Sequence, residues 1–133
     1  LNDKLYDFNF TVRENITLLC PDATDDEIKN AITDACAEFV YDLENGLDFV
    51  LTEDGGGISE GQAQRLAIVR ALLGKGKILP MDESTSALDG ESERRLLCNL
   101  KNRNDLTILF ITHRQSVLDC CDREIQVSDG KIA

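Results

Sequence analysis

The chain has 133 residues, 42% of them hydrophobic and 29% charged, with five cysteines and a formal net charge of −11. That length holds one domain with a modest core. The acidic balance excludes nucleic acid as a direct ligand, because a phosphate backbone would be repelled. No apolar run approaches the roughly 20 residues that a membrane-spanning helix needs, and no signal peptide opens the sequence.

Residues 1–20 read as an extended segment in which Phe8, Phe10 and Val12 alternate. The first predicted helix starts at Thr24, where Thr24-x-x-Glu27 forms a capping box. Behind it Ile28, Ala31, Ile32, Ala35, Cys36, Phe39 and Val40 recur at helical spacing and make one apolar stripe. Asn45-Gly46 predicts a turn, and Gly55-Gly56-Gly57 a flexible stretch. Ser59-x-x-Gln62 is a second capping box, opening a helix that carries Ala63, Leu66, Ala67 and Val69 and stops at Gly74.

The pattern then changes. Lys77–Met81 is a short apolar run ending in Asp82-Glu83, as in a buried parallel strand with acids at its C-terminal end. A helix capped by Asp89 is predicted from Gly90 to Asn102, then a second buried strand, Leu106–Ile111, ending in Thr112-His113. A short helix over Arg114–Cys120 and a hairpin turning at Ser128-Asp129-Gly130 complete the chain. The fold class is therefore α/β, a helical first half followed by β-α-β-α-β. Cys20, Cys36, Cys98, Cys120 and Cys121 include no Cys-x-x-Cys pair and lie far from the only histidine, so they read as reduced thiols of a cytosolic protein.

In open α/β sheets, ligands sit beyond the carboxyl ends of the strands. Asp82 there suits a carboxylate holding Mg2+ on a nucleotide, and Glu83 suits a base that polarises water. His113, at the next strand's end, suits a contact to a γ-phosphate. Each feature alone reads more readily as a solvated strand end or a surface histidine.

The order of motifs decides between those readings. Ile58-Ser59-Glu60-Gly61-Gln62-Ala63-Gln64-Arg65 resembles the signature motif of ATP-binding cassette (ABC) ATPases, with Glu60 in place of a glycine. Lys77–Glu83 resembles the Walker B strand, Ser86-Ala87-Leu88-Asp89 the D-loop, and Ile111-Thr112-His113-Arg114 the switch histidine. Thr11–Ile16 looks like the segment entering the helical subdomain of exporter-type cassettes, and Glu53 like their coupling loop.

The resemblance implies part of a P-loop NTPase (RecA-like) parallel sheet with a helical subdomain on its N-terminal side. Residues 1–75 would be the helical signature subdomain with its leading segment, and residues 76–133 the C-terminal part of the ATPase core. It implies ATP and Mg2+ as cofactors, a second cassette bound head to tail, and transmembrane domains on another part of the protein at the cytoplasmic face of the membrane. Asp82 would assist Mg2+, Glu83 would be the general base and His113 would contact the γ-phosphate. Ser59, Glu60, Gly61 and Gln62 would meet the partner's nucleotide at a helix N-terminus, and Asp89 would communicate across the dimer.

Departures from the family pattern shape the expectation. No G-x-x-x-x-G-K-[ST] occurs: the lysines of Gly74-Lys75, Gly76-Lys77 and Gly130-Lys131 are followed by Gly, Ile and Ile. Asp3 falls near the place of the lid glutamine, and Pro80 interrupts the Walker B strand, where it removes a ladder N–H. The expectation is a fragment of an exporter ATPase, inactive by itself and prone to self-association. A soluble, non-transport ABC-type ATPase and a non-enzymatic fragment acting in protein association remain open alternatives.

Overall fold

The computed structural model describes residues 9–52 and 57–132; Asp3, Phe8, Glu53, Gly55 and Gly56 lie outside the described residues. Five α-helices and four strands are formed among them: α1 (Val12–Ile16), α2 (Asp25–Asp34), α3 (Glu60–Leu73), β1 (Ile78–Asp82), α4 (Gly90–Lys101), β2 (Thr107–Ile111), α5 (Gln115–Leu118), β3 (Val127–Ser128) and β4 (Lys131–Ile132). Short 3-10 turns at Glu38–Asp42 and Gly46–Asp48 fill the span between α2 and α3.

Reciprocal capping sets the helix starts. Thr24 Oγ1 accepts from the Glu27 N–H at 3.3 Å while Glu27 accepts from the Thr24 N–H at 2.8 Å. The Ser59 hydroxyl accepts from the Gln62 N–H at 3.2 Å, and Gln62 Oε1 accepts from the Ser59 N–H at 2.7 Å. The same box operates at Thr11 and Glu14, so residues 12–16 are helical rather than extended as the alternation suggested. A single antiparallel bridge, Thr11 with Val50, is what remains of the extended reading.

The predicted helix across residues 24–40 is shorter than its apolar stripe. It ends at Asp34 because Cys36 takes a left-handed conformation (φ +54°). The Cys36 N–H then donates to Thr33 O at 3.1 Å and the Ala37 N–H to Ile32 O at 2.8 Å, which is Schellman closure without glycine. Tertiary donors satisfy the neighbouring carbonyls. Asn99 Nδ2 reaches Thr33 O at 3.1 Å, and Arg65 Nη1 reaches Cys36 O at 2.9 Å. Ala35, Cys36 and Val40 stay buried through the 3-10 turn, so the stripe survives although the helix does not.

Helix α3 is the centre of the molecule, with Leu66, Ala67, Ile68, Val69, Leu72 and Leu73 all buried. A helix apolar on most sides must be enclosed on most sides. One hydrophobic cluster joins it to Val12 and Ile16 of α1, Ile28 and Ile32 of α2, Leu79 and Met81 of β1, and Leu96 and Leu100 of α4.

Strands β1 and β2 pair in parallel, Ile78 with Thr107 through Asp82 with Ile111. Leu79 and Met81 are buried, and their register partners Ile108 and Phe110 are partly buried on the same face. The other face is open: Ile78 is 68%, Leu109 53% and Ile111 55% exposed. Both strands were expected to be buried; among the described residues only one face of the pair is covered.

The ladder also fixes which way the N–H missing at Pro80 would have pointed. The Thr107 N–H donates to Lys77 O at 2.8 Å and the Glu83 N–H to Ile111 O at 3.0 Å. Odd-numbered residues of β1 therefore direct their backbone groups to β2, and Pro80 directs its nitrogen away from it. No β1–β2 bond is lost. The terminal hairpin forms as predicted, with Asp129 (φ +51°) and Gly130 (φ +73°) in its turn. All five cysteines are free thiols, Cys36 buried and Cys98 exposed.

Candidate functional site

Parallel pairing in register brings the ends of β1 and β2 side by side, so the residues just beyond them meet. Glu83 Oε1 lies 3.0 Å from His113 Nδ1, with side-chain exposures of 56% and 83%. Glu83 holds a left-handed backbone conformation (φ +45°), which costs a non-glycine residue on the order of 1 kcal/mol. Hydrogen bonds on both sides fix it there: its N–H to Ile111 O, and the Ser86 N–H to its carbonyl, both at 3.0 Å. Asp82 precedes it at the strand end and is exposed.

The loop from Glu83 to Asp89 is clamped against the first turn of α3. A Cβ at Gly61 would sit 2.6 Å from Ala87 O, so only glycine allows this approach. One turn further along α3, the buried Gln64 donates from Nε2 to Ser86 Oγ at 3.4 Å and accepts from the Ala87 N–H at 3.3 Å. We expect Gly61→Ala to destabilise the fold by about 1–3 kcal/mol, since the clash is with backbone that cannot rotate away. Denaturant unfolding checks this, and wild-type stability in the variant would show that the loop yields.

At the far end of the loop, Asp89 caps α4, accepting from the Glu91 and Ser92 N–H groups at 3.1 and 2.9 Å and from the Ser92 hydroxyl at 2.7 Å. The Ser92 backbone bond first, and its hydroxyl second, hold the Asp89 carboxyl below its usual range. Because the folded group is the stronger acid, this capping contribution is present at neutral pH and is lost as pH falls through the lowered value.

The predicted site residues thus fall into two sets. Glu83, His113 and Asp82 share the strand ends, and Gly61 touches the loop that joins them to Asp89. Ser59 and Gln62 bond each other in the cap rather than Glu83 or His113, and Glu60 is exposed. Lys75, of the Gly74-Lys75 pair, is bound to Glu27 at 3.1 Å. The sequence reading assigned no role to Gln64, Arg114 or Glu93. Only partners distant in the chain distinguish Gln64 and Glu93 from other polar helix residues, and Arg114 from any residue preceding a helix.

The family profile described as ABC transporter matches residues 3–86. The chain belongs to the ABC transporter family. It is 42% identical over 128 residues to the cyclolysin secretion/processing ATP-binding protein CyaB of Bordetella pertussis, an alignment covering 95% of this chain and 18% of that protein. With the ATP-dependent lipid A-core flippase of Mannheimia succiniciproducens it shares 41% identity over 135 residues, covering 99% of this chain and 23% of the flippase. Among solved structures, a bacterial Atm1-family ABC exporter with ATP bound superposes with a TM-score of 0.88 at 32% identity, again across 99% of this chain and 23% of the exporter. This chain therefore spans about a fifth of the length of those relatives.

Proposed function

We propose that these residues form part of the ATP-hydrolysing unit of an exporter-type ABC transporter, and that Glu83 and His113 act together at its reaction centre. The observation that carries this reading is the 3.0 Å contact between them at the ends of two adjacent parallel strands. Residues 1–75 would serve as the helical signature subdomain and residues 76–133 as part of the ATPase core. The relatives are named as ATP-binding secretion and flippase proteins, which supports ATP as the nucleotide and transmembrane domains as partners.

The donor set fits Mg2+. Asp82 and Glu83 offer hard oxygen ligands in an exposed position, and among the described residues no cluster of three or more His, Cys, Asp or Glu forms a metal cage. Mg2+ commonly takes one or two carboxylates and fills its shell with water and phosphate oxygens. When bound, it would neutralise charge on the phosphates. Asp82 is the residue that would hold it.

Glu83 would accept the proton of the attacking water, a role that needs an exposed carboxylate fixed in direction. Its direction is set twice, by the hydrogen-bonded left-handed backbone and by the imidazole beside it. His113 would orient that carboxylate through Nδ1 and present the rest of its exposed ring to the γ-phosphate. Ser59, Glu60, Gly61 and Gln62 would face the nucleotide of a second cassette, and Asp89 would lie at that interface. Among the described residues no helix is long and apolar enough to cross a membrane. Attachment to the cytoplasmic face would therefore run through transmembrane domains elsewhere in the protein.

The test is phosphate release by the complete protein in lipid vesicles. His113→Ala is expected to lower turnover at least about tenfold, in line with loss of an orienting and charge-stabilising group. Unchanged turnover would remove His113 from the reaction centre.

A further inference from the structure

Glu93 is out of character for its surroundings. It lies on the face of α4 that carries Leu96, Leu97 and Leu100, and it is only 2% exposed. A carboxylate is costly to bury unless partners are brought to it. Both of its partners come from the segment that follows His113. Ser116 Oγ donates to Glu93 Oε2 at 2.8 Å, and Arg114 Nη1 stands 2.8 Å from Oε1. The second contact is an ion pair by proximity, because no N–H is aimed at Oε1.

Arg114 spends its directed bond elsewhere. Nη1 donates to Thr85 O at 2.8 Å, two residues beyond Glu83 and within a loop where Ser84 and Thr85 are both buried. Its own backbone N–H donates to Thr112 Oγ1 at 3.0 Å, on the other side of His113. One guanidinium thus ties the loop carrying Glu83 to the segment carrying His113, and a buried carboxylate fixes that guanidinium.

We propose that Arg114, anchored by Glu93, is a positioning residue that sets the Glu83–His113 geometry, an assignment that rests on the hydrolytic reading of that pair. A plain structural staple would need only the ion pair between α4 and α5. The additional reach to Thr85 is what bears on catalysis. Shifts of about 1 Å in reacting groups cost about a hundredfold in rate, and the strained backbone at Glu83 leaves that carboxylate dependent on its neighbours.

The experiment uses the complete protein in vesicles and measures kcat, KM for ATP and the melting temperature for Arg114→Met, Arg114→Lys and Glu93→Gln. Arg114→Met is expected to lower kcat about tenfold to a hundredfold with KM within about twofold. Arg114→Lys should recover the melting temperature, since an ammonium still pairs with Glu93. It should not recover kcat, since one point charge cannot also hold the Thr85 carbonyl in place. Full recovery of kcat by lysine, or an undiminished kcat in folded Arg114→Met, would overturn the proposal. If Arg114→Met does not fold, an undiminished kcat in either Arg114→Lys or Glu93→Gln would overturn it equally. Wild type and Glu83→Gln run alongside separate the two levels. Wild type that hydrolyses no ATP, or Glu83→Gln that turns over normally, defeats the hydrolytic reading and the positioning role with it. A dead Glu83→Gln beside fully active Arg114 variants defeats only the positioning role.

Discussion

In isolation the 133-residue chain is expected to form dimers or larger assemblies as its concentration rises, with or without Mg-ATP. The cause is the uncovered side of the sheet. Ile78, Leu109 and Ile111 are exposed apolar side chains on the open face of the β1–β2 pair. Along the outer edge of β2, the backbone groups of Ile108 and Phe110 point away from β1, because the odd-numbered residues of β2 are the ones bonded to it. A groove of about 900 Å³ borders that edge, walled by Leu97 and Leu100 of α4 and by Cys120 and Ile125 from the last segment. Exposed edges and apolar patches recruit another copy, by pairing strands or exchanging an element.

A head-to-tail sandwich glued by nucleotide behaves differently. It needs bound ATP, and the chain has no G-x-x-x-x-G-K-[ST] loop to cradle the phosphates. Sedimentation across a concentration series, with and without Mg-ATP, separates the two. A monomer at high concentration would refute the edge argument, and a dimer that appears only with ATP would favour the sandwich.

What could be read from the sequence was mostly local chemistry. The boxes at Thr24 and Ser59 and the cap at Asp89 each fix a helix start, and all three stand where the residue pattern put them. The Thr11–Glu14 box obeys the same rule and was hidden by an alternation of apolar residues that suggested a strand. The stop at Cys36 carried no such sign. Its left-handed turn lacks glycine and depends on Asn99 and Arg65, which arrive from other helices. Apolar runs at β1 and β2 predicted parallel strands correctly but not their one-sided burial, which depends on what else packs there. That Pro80 costs no β1–β2 bond was equally unreadable, since the phase of a ladder is a property of the paired strands.

At the site, Asp82, Glu83 and His113 were legible as polar ends of apolar strands. Their meeting required the register. Gln64 and Glu93 were not legible, because each acts through partners from distant parts of the chain: Ser86 and Ala87 for Gln64, Arg114 and Ser116 for Glu93.

The central proposal is that Glu83 is the base that would activate water for attack on ATP. Its position fits that role: an exposed carboxylate at a strand end, locked by backbone hydrogen bonds at φ +45° and flanked at 3.0 Å by an imidazole. Glutamine keeps the size and most of the hydrogen bonding of glutamate but cannot accept a proton. The lost step is therefore chemical, and holding the nucleotide falls to other groups. The decisive measurement is phosphate release and equilibrium ATP binding on one preparation of the complete protein carrying Glu83→Gln. Turnover is predicted to fall by about a hundredfold or more, the scale of general-base catalysis, with ATP affinity within about twofold of wild type. Normal phosphate release from that protein would contradict the account.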